Sequence, residues 1–244
     1  VIKLNCDLGE VDKLCPQGPE HTVMPYIDMA NIACGFHAGN RETMKATIAL
    51  AKQHQVLIGA HPSYPDRENF GRLSMALSQA DICDLVFQQV SLMEALCEEQ
   101  QVPLSYIKPH GALYHDLLFQ PQVRNGIFQA VADLSRKVPV LVLAHVNQQE
   151  VAASAERYGI TLWYEAFADR RYHQDASLQS RTESGSVIES TEQIIMQARA
   201  IATGAPITTV EGGTITINAH SLCVHGDNPA AVATIKALKK ALST

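Results

Sequence analysis

The sequence predicts an α/β fold in which about seven βα units wind into one closed or nearly closed parallel barrel. Three observations carry this. Short apolar runs alternate with helical patterns almost to the end of the chain, the order a parallel sheet with outer helices requires. No linker-like stretch, internal repeat or low-complexity segment interrupts the 244 residues, a length that one large barrel domain can fill. Polar residues close one apolar run after another, at the strand edge where parallel α/β folds bind ligands. An open doubly wound sheet is the alternative arrangement of the same elements.

The elements follow in order. Ile2 to Cys6 is a first strand and Met29 to Cys34 a second. Arg41 to His54 is helical, with Met44, Ile48 and Ala51 on one face. Leu57 to Ala60 is the third strand. Ser78 to Gln100 is the clearest helix: Ser78 and Asp81 form a capping-box pair, and Ile82, Leu85, Val86, Val90, Met93 and Leu96 make an apolar stripe that belongs to the core. Tyr106 to Lys108 is the fourth strand, Gln122 to Ser135 a helix and Val140 to Leu143 the fifth strand. The helix from Gln148 to Tyr158 stops at Gly159, and Leu162 to Ala166 is the sixth strand. Asp169 to Ser186 is polar and aperiodic, a long loop of the kind that often carries function. Thr191 to Ala202 is helical, and Ile207 to Val210 and Thr214 to Asn218 flank Glu211-Gly212-Gly213 as a hairpin. Leu222 to Val224 is the last strand. Pro229 to Leu242 is the last helix, with Pro229 in its first turn after the cap candidates Asp227 and Asn228.

Composition narrows the function. A net charge of −6 with no basic run disfavours a nucleic-acid partner. No apolar stretch of about 18 residues is present, so a membrane span is not expected. The first residues run straight into a strand pattern, without the regions of a secretory leader. The six scattered cysteines contain no CxxC pair and read as reduced thiols of a cytoplasmic protein. A nucleophilic Cys6 or Cys34 is the sharper alternative, although neither has a local base.

The motifs sit at predicted strand ends. Gly35-Phe36-His37-Ala38-Gly39-Asn40 is a strand-to-helix turn whose N–H groups suit an anion, or a tight turn with glycines at positive φ. Gly59-Ala60-His61-Pro62 holds His61 directly after a strand, ready for acid–base or metal chemistry. Arg72, in the loop that follows, is suited to clamping an anionic group. Lys108-Pro109-His110-Gly111-Ala112-Leu113-Tyr114 packs a cation, an imidazole and a phenol into seven residues. Glu165 is followed by Asp169 and Arg170, and Val224-His225-Gly226-Asp227 ends the last strand. His115 reads as helix surface, and His21, His54 and His145 as structural. His220 precedes its strand and is ambiguous. Asp7, His61 and His110 are a possible metal triad that spacing cannot test, since they come from different strands. There is no P-loop, GxGxxG, HExxH or GxSxG motif.

Taken together, Asn5-Cys6-Asp7-Leu8-Gly9-Glu10, Ala30 through Gly39, Ile58 through Asp66, Lys108 through Tyr114, Phe167-Ala168-Asp169-Arg170 and Cys223 through Asp227 closely resemble the family of bacterial 5-oxoprolinase A subunits, also called the lactam-utilisation protein family. The resemblance spans nearly the whole chain in the right order. It implies a seven-stranded (β/α) barrel of the glycoside hydrolase/deacetylase type. It also implies a part in ATP-dependent opening of 5-oxo-L-proline to L-glutamate, with 5-oxoprolinase subunits B and C as partners and ATP with Mg²⁺ as cofactor. Its motif positions are Asp7, Glu10, His37, His61, Lys108, His110, Asp169, Arg170, His225 and Asp227. Two departures occur. Val11-Asp12-Lys13-Leu14 replaces a Ser-Phe-Gly segment after Glu10, and Ala219-His220-Ser221 replaces Ala-Asp-Thr. The first alters the rim of the site and bears on substrate range.

The chemistry assigns expected roles. A five-membered lactam is a resonance-stabilised amide, and phosphorylating its oxygen makes the carbon more electrophilic. Asp7, His61, His110, His225 and Asp227 are the catalytic candidates for proton movement. Glu10, Gly35, His37, Arg72, Lys108, Tyr114, Asp169 and Arg170 are the substrate-binding candidates. Two other classes remain open: a stand-alone metal-dependent amide hydrolase or deacetylase, and a non-catalytic subunit that delivers lactam to its partners.

Overall fold

The computed structural model describes residues 2–144, 148–180, 182–224 and 229–242. Its strands are β1 (Lys3–Leu8), β2 (Met29–Ala33), β3 (Leu57–His61), β4 (Leu104–Ile107), β5 (Val140–Leu143), β6 (Leu162–Phe167), β7 (Ile207–Thr208), β8 (Thr214–Ile215) and β9 (Ser221–Cys223). β7 and β8 form the antiparallel hairpin expected around Glu211-Gly212-Gly213. The other seven close into a barrel in the order β1-β2-β3-β4-β5-β6-β9, all pairs parallel, with β9 hydrogen-bonded to both β6 and β1. The closed alternative therefore holds over the open sheet. Helices α1 (Pro19–Val23), α2 (Arg41–His54), α3 (Gln79–Glu99), α4 (Gly111–Phe119), α5 (Pro121–Ala132), α6 (Gln148–Arg157), α7 (Thr191–Thr203) and α8 (Pro229–Leu242) accompany the strands.

Side chains alternate between the two faces of each strand. On β1, Leu4, Cys6 and Leu8 turn outward into the main core, where the helix stripes meet the barrel. Asn5 and Asp7 turn inward and bond to residues of other strands. Deeper in the interior, Met29, Tyr106 and Leu141 form a separate apolar cluster, with Leu57 and Trp163 packed on it. Tyr106 needs the absence of a side chain at Gly59: a Cβ there would lie 2.3 Å from the Tyr106 ring.

The helix starts are set by local chemistry. Ser78 and Asp81 form the expected capping box on α3, Ser78 Oγ accepting from the Asp81 N–H and Asp81 Oδ2 from the Ser78 N–H. Asn40 caps α2, accepting from the N–H groups of Glu42 and Thr43. α1 is too short to show a helical period, whereas His115, read as helix surface, is an exposed residue of α4. β1 runs two residues beyond the predicted Cys6 because Asp7 and Leu8 continue the ladder opposite Asn31 and Ile32. Aspartate disfavours an ordinary strand, but a side chain facing a polar barrel interior carries no such penalty.

The long loop after β6 folds back over the barrel. Arg170 bridges to Val187 and Tyr172 to Leu178. The buried Tyr172 hydroxyl accepts the Phe167 N–H at 2.6 Å, tying the loop to the strand end. This puts Arg170 and Ser177 to Ser180 over the mouth of the barrel.

Candidate active site

The mouth of the barrel is a cavity of about 770 Å³. Asp7, Glu10, His61, Arg72, Lys108, His110, Tyr114 and Arg170 all line it. Eight of the thirteen sequence candidates therefore reach one cavity. His37 stands directly behind, with its Nε2 3.2 Å from Glu10 Oε1. Asp169 is buried beside Arg170 without lining the cavity. His225 and Asp227 lie outside the described residues. Gly35 departs from expectation. Its turn is not part of the lining, its carbonyl accepts from Arg67 Nη1 at 2.9 Å, and the α2 N–H groups beyond it are taken by Asn40. The N–H groups at the start of α2 are thus satisfied by Asn40 and are not left for an anion. His220 is at the opposite end of the barrel, where its Nδ1 accepts the Tyr164 N–H.

Lys108 is the electrostatic centre. It leaves the end of β4 and turns into the barrel, 3 % exposed. Its Nζ lies 3.1 Å from Asp7 Oδ1, 3.2 Å from Glu165 Oε2, 3.4 Å from Asn5 Oδ1 and 3.3 Å from Cys223 Sγ. Burial pulls the ammonium pKa down, but the surrounding Asp7, Cys223 and Glu165 more than reverse this and hold it well above the ordinary lysine value. Around it runs a layer of amides and hydroxyls. Asn5 Nδ2 donates to Glu165 Oε2 and Ser221 Oγ, Asn31 Nδ2 donates to Asn5 Oδ1 and Asp7 Oδ1, and the Tyr106 hydroxyl donates to Asn31 Oδ1. Tyr114, beside Glu165, has its phenol pushed well above the usual range, by burial first and the Glu165 charge next.

Asn5, Asn31, Tyr106 and Glu165 belong to the site without being among its sequence candidates. The signal was present in the two-residue alternation Lys3-Asn5-Asp7 on β1 and Met29-Asn31-Ala33 on β2, which puts amides on the same face as Asp7. The buried thiols are not nucleophiles. Burial raises Cys6 and Cys223 well above the ordinary thiol value and pushes Cys34 up to about 12, so a thiolate is scarce at neutral pH.

Three imidazoles crowd above Lys108. His37 and His110 stack with ring centroids 3.8 Å apart, and His61 meets His110 edge-on at 4.8 Å. Burial first, and neighbouring rings next, lower His37 and His110 to about 3, so both are neutral at physiological pH. His61 Nδ1 lies 2.7 Å from the Lys108 carbonyl and His110 Nε2 lies 2.9 Å from the Phe70 carbonyl. A carbonyl only accepts, so each of these nitrogens carries the ring proton. The loop that presents the Phe70 carbonyl interlocks with the start of α4. Gly71 and Gly111 both have positive φ, the Ala112 N–H donates to the Gly71 carbonyl, and a Cβ on Gly111 would lie 2.5 Å from that same oxygen. The remaining nitrogens, His61 Nε2 and His110 Nδ1, face each other at 2.9 Å. Asp7 Oδ2 is 3.5 Å from the first and Glu10 Oε1 3.7 Å from the second.

Known proteins resemble this chain from end to end. A protein of Vibrio cholerae, named as the A subunit of 5-oxoprolinase, is 45% identical over 99% of this chain and 97% of its own length. One of Chromohalobacter salexigens with the same name is 43% identical over 98% of this chain and 95% of its own. The crystal structure of a lactam utilization protein from Thermus thermophilus superposes with a TM-score of 0.91 at 31% identity, covering 99% of this chain and 96% of that one. The fold thus recurs in a solved structure over nearly the whole of both chains. The family model described as LamB/YcsF matches residues 2–244, and the chain belongs to that family.

Proposed function

We propose that this chain is the A subunit of an ATP-dependent 5-oxoprolinase, which opens the lactam amide of 5-oxo-L-proline to L-glutamate together with subunits B and C in the cytoplasm. The observation that carries this reading is the end-to-end similarity to proteins named as 5-oxoprolinase A subunits, on a chain whose acids, imidazoles and buried lysine meet in one cavity. The six free thiols suit a reducing compartment.

The cavity suits the lactam better than the nucleotide. Arg72 is exposed at the rim and can pair with one carboxylate. Lys108 is already neutralised by Asp7 and Glu165, and Asp7, Glu10 and Glu20 also line the space. A triphosphate would meet these acids with little cationic compensation, so these residues do not fit ATP. We assign the nucleotide to a partner subunit.

Within this chain the hydrolytic half follows from position. Water adding to the carbon of the O-phosphorylated lactam must lose a proton, the departing ring nitrogen must gain one, and the acyl phosphate so formed must release phosphate to a second water. Asp7 and His61, 3.5 Å apart, form an acid–base pair at the cavity floor. Lys108 is fixed by its anionic partners with little freedom to reorient, and it holds the Asp7 carboxylate in place at the cavity floor. His110→Ala in the reconstituted three-subunit enzyme is expected to lower glutamate release by about 10²–10⁴-fold. Near-normal release would remove His110 from the mechanism. Glutamate formation by this chain alone, without ATP, would instead select a stand-alone hydrolase.

A further inference from the structure

We infer that His61, His110, Asp7 and Glu10 form a binding site for one divalent transition-metal ion. Consider the ring protons. His61 Nδ1 and His110 Nε2 are committed to the carbonyls of Lys108 and Phe70. The second nitrogens, His61 Nε2 and His110 Nδ1, therefore face each other across 2.9 Å with the N–H of each ring already placed on a carbonyl. No hydrogen bond can form between two acceptors, and at this distance they repel. Something positive must lie between or beside them. A metal ion accepts both lone pairs at once.

The remaining geometry fits a cation. The four side chains each offer one ligand atom within 4.8 Å of all the others. His61 and His110 offer nitrogens 2.9 Å apart, with Asp7 3.5 Å from the first and Glu10 3.7 Å from the second. Neighbouring ligands around an ion with bonds of about 2.1 Å stand about 3.0 Å apart in an octahedron and about 3.4 Å apart in a tetrahedron. Metal-bound histidines donate their second ring N–H to a carbonyl or carboxylate, which fixes the tautomer, and both rings here do so. His37 completes the outer layer. Its Nδ1 lies 2.8 Å from Ser63 Oγ and its Nε2 3.2 Å from Glu10 Oε1, which ties Glu10 to the buried ring behind it. Two imidazoles with two carboxylates select Zn²⁺, Mn²⁺, Co²⁺ or Fe²⁺ over Mg²⁺, which prefers oxygen and water. In the lactam reading such an ion would act as a Lewis acid on the amide oxygen, and Asp7 and His61 would then serve as its ligands in place of the acid–base role given them above. That role rests on the proposed function; the binding does not.

The test is metal binding by the purified full chain, stripped with chelator and titrated separately with Co²⁺, Zn²⁺ and Mg²⁺. About one equivalent of Co²⁺ or Zn²⁺ is expected, with a visible Co²⁺ spectrum and a higher Tm, and no Tm shift with Mg²⁺ at the same concentration. His61→Gln and His110→Gln should abolish the Co²⁺ spectrum. Glu10→Gln, at a partly exposed position that tolerates change, and His37→Gln should weaken binding by about 10–100-fold while leaving the apo-protein folded by circular dichroism. Stoichiometric binding unaffected by these variants would place the ion elsewhere and overturn the assignment. So would no binding at millimolar metal. Glutamate release is measured separately, so a failed metal site leaves the lactam reading standing, and the reverse.

Discussion

At the scale of single residues, the site is organised by what surrounds Lys108. Its ammonium sits between Asp7 and Glu165, and Glu165 is fully buried. A buried carboxylate without its cation is strongly destabilising, at about 3–5 kcal/mol. Lys108→Met should therefore lower stability by about that amount as well as removing activity. Lys108→Met combined with Glu165→Gln removes the charge with the partner and should recover at least half of the lost stability in urea unfolding, without recovering glutamate release. Recovery of both would show that Lys108 is a structural counter-ion only. The sequence made Lys108 visible because it stands beside a strand end in a dense polar motif. It placed Glu165 at a strand end without a role and hid Asn31, because one polar residue inside an apolar run gives no sign of its partners. Those partners come from distant strands, 103 positions apart in the case of Asn5 and Lys108.

At the scale of elements, the barrel strands were legible from their apolar runs and the longer helices from period and caps. Ser78 with Asp81 predicted the capping box of α3, whose helix begins one residue on at Gln79. Strand ends were less legible, because an apolar run stops at its first polar side chain and the strand does not. β1 continues through Asp7 and β3 through His61, where the inward face is a wet, charged cavity rather than a core. Close packing inside the barrel has no sequence period at all, and Gly59 is the example. Gly59→Ala would drive a methyl group into Tyr106, and overpacking of this kind costs about 1–3 kcal/mol. For a chain of this size, each kcal/mol lowers Tm by about 2–4 °C. Shrinking the opposing side chain in the double variant Gly59→Ala/Tyr106→Leu should return part of the loss. An unchanged Tm in the single variant would mean that β3 and β4 yield without cost.

At the scale of the whole molecule, a barrel brings residues scattered from Asp7 to Arg170 to one mouth, and the lining there decides what can enter. Its acids outnumber its accessible cations. Lys108 is spent on Asp7 and Glu165, and Arg170 lies 6% exposed with its Nη2 donating to the Gln179 carbonyl. Arg72 is left as the rim cation with solvent access among the described residues that line the cavity. One guanidinium matches the single carboxylate of a small lactam acid and is a poor match for a triphosphate. The isolated chain should accordingly gain thermal stability with 5-oxoproline and gain none with ATP, whereas the assembled complex should respond to both. A ligand at 100 times its Kd stabilises by about 2.7 kcal/mol, well within reach of a melting experiment. Arg72→Ala should remove most of the lactam response of the isolated chain and leave its melting point without ligand unchanged, since an exposed side chain holding no buried partner contributes little to folding. A nucleotide response in the isolated chain would return the ATP site to this barrel. Loss of the lactam response in the wild-type chain would move substrate recognition to the interface with the partner subunits.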